Sequence, residues 1–530
     1  MTENKIKMEN GKWKILKQGS RMERGDILLT VLVFAAITIT VTIGLVNWGA
    51  TMLASIRNVK AREQAFQIAE AGVDYYRWHL AQYPTDYKDG TTTPQPYVHS
   101  FFNRDGDILG TYSLTITPPV VGSTLVKILS VGTLSSSTIT RKVQETLAIP
   151  SLAKFAVVAN DNMNFGSGTT VYGPIQSNKG IHFDGVAHNL VSSAMSKYTD
   201  PDSSSCTTAN SWGVHTCTSG PGYPNGDPAS PTVAPSRPDV FMSGRQYPVP
   251  AVDFTGLTAG LSQLQALAQS GGKEWTASGK SGYHIVFQVT GSITSYDIYK
   301  VTALQATPSG CGTDVTAQSQ VNGPQYYQWG TWTIKNLVGS NNSGNSYETQ
   351  VNGPNSDHSW PIPANGIIFV DDDLWVDGQI NNARVTLAAG IIGSTNPADY
   401  SNITINTDLT YTNHDGTDVL GLIAQGNVNV GMVSDDNLEI DAALVAESGR
   451  VGRFYYNSNC TVGGTNYSDR NTLTLIGMIA TAVRYGFAYS DGTGYSIRNI
   501  NYDGNLLYGP PPSFPQATNQ YQVISWKEVQ

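Results

Sequence analysis

From Ile27 to Ile56 the chain carries no charged residue, and then its pattern changes. Ile27 to Val46 is apolar apart from Thr and Gly. As a helix rising ~1.5 Å per residue it spans about 30 Å, one bilayer core. The continuation, ASIRNVKAREQAFQIAEAGVDYYRWHLAQ, is amphipathic. Ala65, Ala69, Val73, Tyr76 and Leu80 recur at spacings of three and four, one stripe of a 3.6-residue period. Arg62, Glu63, Glu70, Asp74 and Arg77 lie largely off that stripe, and no proline interrupts before Pro84. The pattern predicts one helix from about Asp26 to about Gln82, greasy in its first half and packed along one face in its second.

From Gly110 the period becomes two. TYSLTIT puts Tyr112, Leu114 and Ile116 on one face, and VKILSVGTL (126–134) and TRKVQETLAI (140–149) follow after turn-rich breaks. This predicts a short antiparallel meander over the amphipathic half of the helix, ending near Pro150.

Beyond it lies a weak internal repeat. AVVANDNMNFG (156–166), IIFVDDDLWVDG (367–378) and GLIAQGNVNVG (421–431) share an apolar triplet, an Asn or Asp corner, a short alternation and then Gly. Similar pieces occupy 170–185, 383–394 and 438–452. Short strands separated by such corners suit stacked β-coils, because the corner residues tolerate left-handed backbone. The expected fold class is α+β: a long helix with a small meander, then a mainly-β solenoid, with a β-sandwich as the alternative. The expected division is a leader 1–25, a helix-and-meander region 26–150 (helix 26–82, meander 83–150), and a β-domain 151–530 with a loop-rich insertion at about 186–365. Within that insertion, 195–250 reads as an exposed loop and 254–272 as a helix, with Leu257, Leu261, Leu264 and Leu267 forming its face. Strand-like segments follow at 283–290 and 296–302, YYQWGTW (326–332) reads as an aromatic-faced strand, and the tail ends in one more strand.

Composition supports a β-rich exterior solvated by hydroxyls and amides. Charged residues are 14% of the chain, below the ~25% usual for soluble domains. The net charge of −9 argues against a nucleic-acid partner. Lys5, Lys7, Lys12, Lys14, Lys17, Arg21 and Arg24 precede the apolar run against three glutamates, which places the N-terminus in the cytoplasm and the bulk outside. A cleaved secretory signal has a shorter apolar core and a small-residue site after it; here the helix pattern simply continues.

Arg24-Gly25, the apolar run, and QAFQIAEAGVDYY at 64–76 together resemble the PilX-type minor pilins. GPIQSN, GLIAQGNV and YDGNLL with PPSFP resemble phrases in the large β-domains behind such N-termini. The resemblance implies cleavage between Gly25 and Asp26 by a prepilin peptidase, methylation of the new N-terminus, and packing among other pilins and minor pilins. Major pilins carry Phe at the first mature position and Glu at the fifth, where this chain has Asp26 and Thr30. That departure fits subunits that start or cap a filament. The expected setting is a single-pass protein of the cytoplasmic membrane, reaching a pilus tip or the cell surface. The expected role is structural and non-enzymatic, presenting the β-domain for adhesion to a cell-surface or carbohydrate target. A membrane-anchored carbohydrate-binding protein or polysaccharide-active enzyme is the alternative.

Candidate chemistry is sparse. Cys206, Cys217, Cys311 and Cys460 lie beyond the membrane segment, and none forms a C-x-x-C. In an exported region they are disulfide candidates, with Cys206 and Cys217 close enough for a local bridge and Cys311 and Cys460 remaining. All three pairings stay open, with four free thiols as the alternative. Asp371, Asp372, Asp373 and Asp377 form the densest carboxylate group, a candidate calcium site without the EF-hand ladder. Otherwise no cofactor is expected. His182 and His188 are the closest histidine pair, and Asp184-Gly185 between them predicts a turn that leaves both on the surface.

Overall fold

The computed structural model describes residues 6–9, 12–15, 24–120, 122–202, 206, 210–230, 232–254, 260–302, 348–432, 434–458, 460–462, 465–516 and 520–529. Leu257, Cys311 and the 326–332 segment lie outside them.

A short antiparallel hairpin, Ile6–Glu9 with Lys12–Ile15, precedes a single helix, Arg24–Gln82, of 59 residues. Its apolar first half is bare: Ile27, Leu32, Phe34, Ile43 and Trp48 are all more than half exposed. Thr38, Thr40 and Thr42 turn their hydroxyls onto the carbonyls four residues back, so these side chains bring no unsatisfied donor into an apolar surround.

The second half packs. Ala65, Ile68, Ala69, Val73, Tyr76 and Leu80 are buried against Tyr112, Leu114, Ile116, Val126, Ile128 and Val143. Glycine sets how close the helix lies. A Cβ on Gly132 would stand 2.1 Å from the Ala65 carbonyl oxygen and 2.5 Å from the Ala69 nitrogen. The small residues of AFQIAEAG are therefore what lets the helix lie down on the sheet.

That sheet has five antiparallel strands in the order Tyr97–Phe102, Ile108–Thr117, Val126–Leu134, Thr140–Ala148 and Gln522–Val529. The fifth strand comes from the far end of the chain. It was expected to belong to the C-terminal domain, but Trp526 pairs with Glu145 and Val529 with Lys142. Trp526 also meets the Phe66 ring edge-on at 6.0 Å. Residues between about 150 and 516 are thus inserted between the last two strands of the head sheet.

The inserted domain is a stack of parallel strands. One ladder runs, in spatial order, Arg245–Gln246, Val191–Ser193, Ile175–Ser177, Val157–Ala159, Asp469–Thr481, Asn437–Ala446, Val419–Ala424, Arg384–Ala389, Ile367–Val370 and Lys273–Trp275, with every pairing parallel. The chain enters at mid-stack with Val157, winds to one end at Arg245, crosses to the opposite end at Lys273, and winds back until Ile479 pairs with Val157. Entry and exit therefore lie side by side, which lets both ends return to the head.

The repeated phrases coincide with rungs. VVA, IIFV and LIA lie on the long ladder, and LWVDGQI and VNV on a second one through Ile403–Ile405. Val419–Ala424 is buried at all six positions because both of its faces are covered. Inside lies the main core; outside lie Leu261, Leu264 and Ala268 of a second helix, Gly260–Gly271, with Leu506 and Phe514 of the tail. The expected insertion at 186–365 is only partly loop, since its strands extend the stack at both ends. The 195–250 stretch, expected to be exposed, buries Tyr198, Val214, His215, Val240 and Phe241.

Corners are built from side-chain amides. Asp373 accepts from the Asn402 N–H at 2.8 Å, Asn402 Oδ1 accepts from the Asn427 N–H at 2.8 Å, and Asn427 Oδ1 accepts from the Arg450 N–H at 2.9 Å. Each of these turns is tied to the next by one such hydrogen bond. Buried arginines do the same for irregular segments. Arg453, fully buried, donates to the carbonyls of Ser468, Met432 and Tyr467.

Candidate functional sites

The first candidate is the long helix. Arg24, Gly25 and Asp26 stand at its first three positions, so the implied processing bond lies at the helix start. Thr30 is one turn further on, on the exposed part. The apolar half presents a continuous surface of Ile, Leu, Val and Phe that no other part of the described residues covers. By length and composition it can cross a membrane.

The carboxylates of 371–377 go to four separate partners. Asp371 takes Gln265 at 3.1 Å, Asp372 takes the Ser278 N–H at 2.8 Å, Asp373 takes Asn402, and Asp377 meets His284 at 3.2 Å. Burial lifts the Asp373 carboxyl to about 6. Each of these four carboxylates is thus engaged by a different partner.

Cys206 and Cys217 are joined by a disulfide. Cys460 is buried and disulfide-bonded.

A group with no sequence signal that we recognised forms around His182. His182 and His215 sit at matching positions on adjacent parallel strands, Ile181–Phe183 and Val214–His215. Their rings stack with centroids 4.8 Å apart, the spacing of neighbouring strands. Asp200 reaches over them from the segment after Tyr198, its Oδ2 3.0 Å from His182 Nδ1 and 3.2 Å from His215 Nε2. All three residues are at most 3% exposed. His182 was expected at the surface; the parallel partner strand buries it. His188, in contrast, stacks on Tyr172 at 3.9 Å.

The surroundings hold this group firmly. His182 Nε2 is 2.9 Å from Asp184 Oδ2. Asp184 Oδ1 accepts from the N–H groups of Cys217 and Thr218 and from the Thr216 hydroxyl. Burial opposes the charge on both partners. Even so, Asp184 and Asp200 hold the His182 imidazole up at about 9, and hydrogen bonds hold the Asp184 carboxyl down at about 2. The tyrosine hydroxyl of Tyr198 lies 3.3 Å from His215 Nδ1. Arg484 and Asn164 pin Asp202 beside the group, each at 2.8 Å. The pattern legible in hindsight is a histidine between two large apolar residues, Ile181-His182-Phe183, where an outward-facing polar residue is unexpected on a covered strand.

No protein-family model matches this chain, and no curated protein matches it. Among solved structures, the competence-associated pilin ComZ from Thermus thermophilus aligns over 88% of this chain and 98% of its own, at 15% identity and a TM-score of 0.29.

Proposed function

We propose that this chain is a pilin-type subunit of a type IV pilus system that starts or caps a filament and carries its β-domain outward. The observation that supports this most is the long helix, half bare and apolar, half laid on an antiparallel sheet through small residues. A bare apolar half suits the membrane first and the helical core of a filament afterwards. In this reading a prepilin peptidase cuts between Gly25 and Asp26 on the cytoplasmic side and the new N-terminus is methylated.

We read the parallel stack as a β-solenoid, on the strength of its ten-strand ladder and its amide corners. Inserted between two strands of the head, it travels with the head on assembly. Its bulk is hard to repeat along a tightly packed shaft. At position 30 a threonine replaces the glutamate that shaft-forming pilins pair with a neighbour's N-terminus. Both features favour a tip or initiating position, with the solenoid contacting a surface, a partner cell or other minor pilins. In this reading the role is structural.

Mass spectrometry of the protein from membranes of its native host tests this directly. A chain beginning at N-methylated Asp26 is expected; a chain that retains Met1 overturns the reading.

A further inference from the structure

We propose that the hairpin Ile6–Glu9 with Lys12–Ile15 docks on the anionic lipid of the cytoplasmic leaflet before the leader is removed. Asn10-Gly11 lies between the strands, inside the alternating run IKMENGKWKI. Asn-Gly between alternating apolar and charged positions is the strongest short-range signal for a two-residue hairpin turn. The strands pair antiparallel, with Ile6 opposite Ile15, Lys7 opposite Lys14, Met8 opposite Trp13 and Glu9 opposite Lys12. Alternate positions along a strand share a face, so this register puts four apolar residues on one face and four charged ones on the other.

Such a hairpin is poorly suited to water alone. Among the described residues its two strands pair only with each other. An isolated two-stranded hairpin is marginally stable in water. Lys7 directly opposite Lys14 weakens it further, because like charges facing across a strand pair repel. Both defects are relieved at one kind of surface. The headgroup–acyl boundary of a bilayer takes an apolar face inward, while lipid phosphates neutralise lysines held at their level. Tryptophan favours the same boundary.

Charge and reach select the cytoplasmic leaflet. Seven basic residues against three glutamates precede the apolar run, so the segment is attracted to anionic lipid. Nine positions separate Ile15 from Arg24, where the helix begins, a tether of at most about 30 Å. The hairpin therefore stays close to the leaflet from which the helix emerges. Docking needs only an N-terminus in the cytoplasm. It rests on the pilin-type reading for one further effect: a docked hairpin on a short tether keeps the Gly25–Asp26 bond at the membrane surface, within reach of a peptidase embedded there.

The test uses the uncut full-length chain in nanodiscs of phosphatidylcholine, alone or with about 30% phosphatidylglycerol. Hydrogen exchange is read on peptides from 5–16, with peptides from 126–148 marking a folded head. In the anionic discs exchange at 5–16 should slow by about tenfold or more, and about 1 M salt should reverse this. Lys7→Glu separates the two possible origins of protection. It sets a carboxylate opposite Lys14, which strengthens an autonomous hairpin, yet it removes attraction to phosphate. The expected result is faster exchange than wild type in the anionic discs. Gly11→Val, which blocks the turn, and Trp13→Ser should each remove the protection. Equal exchange in the two lipid compositions overturns the proposal, whether both are fast or both slow. So does protection that Lys7→Glu leaves undiminished. A chain that retains Met1 in the native host, which overturns the processing reading, leaves the docking result standing.

Discussion

The closest approach between helix and sheet gives the sharpest test of the head. Consider Gly132→Ala beside Gly72→Ala. At Gly132 a new Cβ would meet backbone on the opposing helix, 2.1 Å from the Ala65 oxygen, whereas real Cβ contacts stop near 3.0 Å. The helix must retreat by the difference, roughly 0.9 Å. A gap of that size forfeits a quarter to a half of each facing dispersion contact, and overpacking of this kind costs about 1–3 kcal/mol. Backbone on both sides cannot rotate away, so the upper end applies. Replacing a strand glycine returns about 0.5–1 kcal/mol, leaving a net loss of about 2 kcal/mol. At Gly72 the obstacles are the Ser130 hydroxyl at 2.3 Å and the Tyr112 ring at 2.8 Å. Among the described residues the Ser130 hydroxyl has no hydrogen-bond partner, so turning it aside breaks nothing. Helix propensity favours alanine there by about 1 kcal/mol, and the net change should be within about 1 kcal/mol of zero. Hydrogen exchange read on peptides from 126–148 should therefore speed up about 25-fold for Gly132→Ala, since 1.4 kcal/mol is tenfold, and by a few-fold at most for Gly72→Ala. Wild-type exchange in Gly132→Ala, or a larger effect at Gly72, would refute the packing argument.

Other expectations follow from buried polar groups. Arg453→Leu leaves the Tyr467 carbonyl without its donor and takes one of two donors from the Ser468 and Met432 carbonyls, which keep Gly494 and Arg470, and should destabilise the β-domain by about 2–3 kcal/mol, read as a lower urea midpoint. Burial raises the Glu447 carboxyl to about 8 and that of Asp441 to about 6. Their folded-state pKa values exceed the unfolded ones, so their contribution is full below about pH 4 and is lost as pH rises through 6 and then 8. Melting should accordingly fall between pH 5 and 9, and Glu447→Gln should flatten the upper part of that fall; an unchanged profile counts against its burial as the cause. Cys206→Ser opens an 11-residue separation and should cost up to about 2.8 kcal/mol by loop entropy, seen as a lower melting temperature under non-reducing conditions only.

Much of the molecule was written locally. The helix was legible from end to end because a charge-free run and a 3.6-residue stripe are both properties of consecutive residues; the structure ends it at Gln82, and every residue of the stripe is buried. The meander and its register of faces followed from period two. The repeated phrases with Asn and Gly turns located strands of the parallel ladders because each turn between them meets the same backbone problem. Tertiary structure decided what depends on residues far apart. The tail strand Gln522–Val529 has no pattern of its own that names the head as its partner; only the side-by-side entry and exit of the stack bring it to Thr140–Ala148. The mid-stack start of the domain is equally invisible, because parallel pairing does not follow chain order. His182, His215 and Asp200 were scattered polar residues in the sequence, and a parallel register with one overlying segment turned them into a buried group. Local patterning determined which elements exist and which faces they bury. Long-range pairing alone determined which donors meet, because hydrogen-bond register and loop return are set by the whole stack and by no single segment.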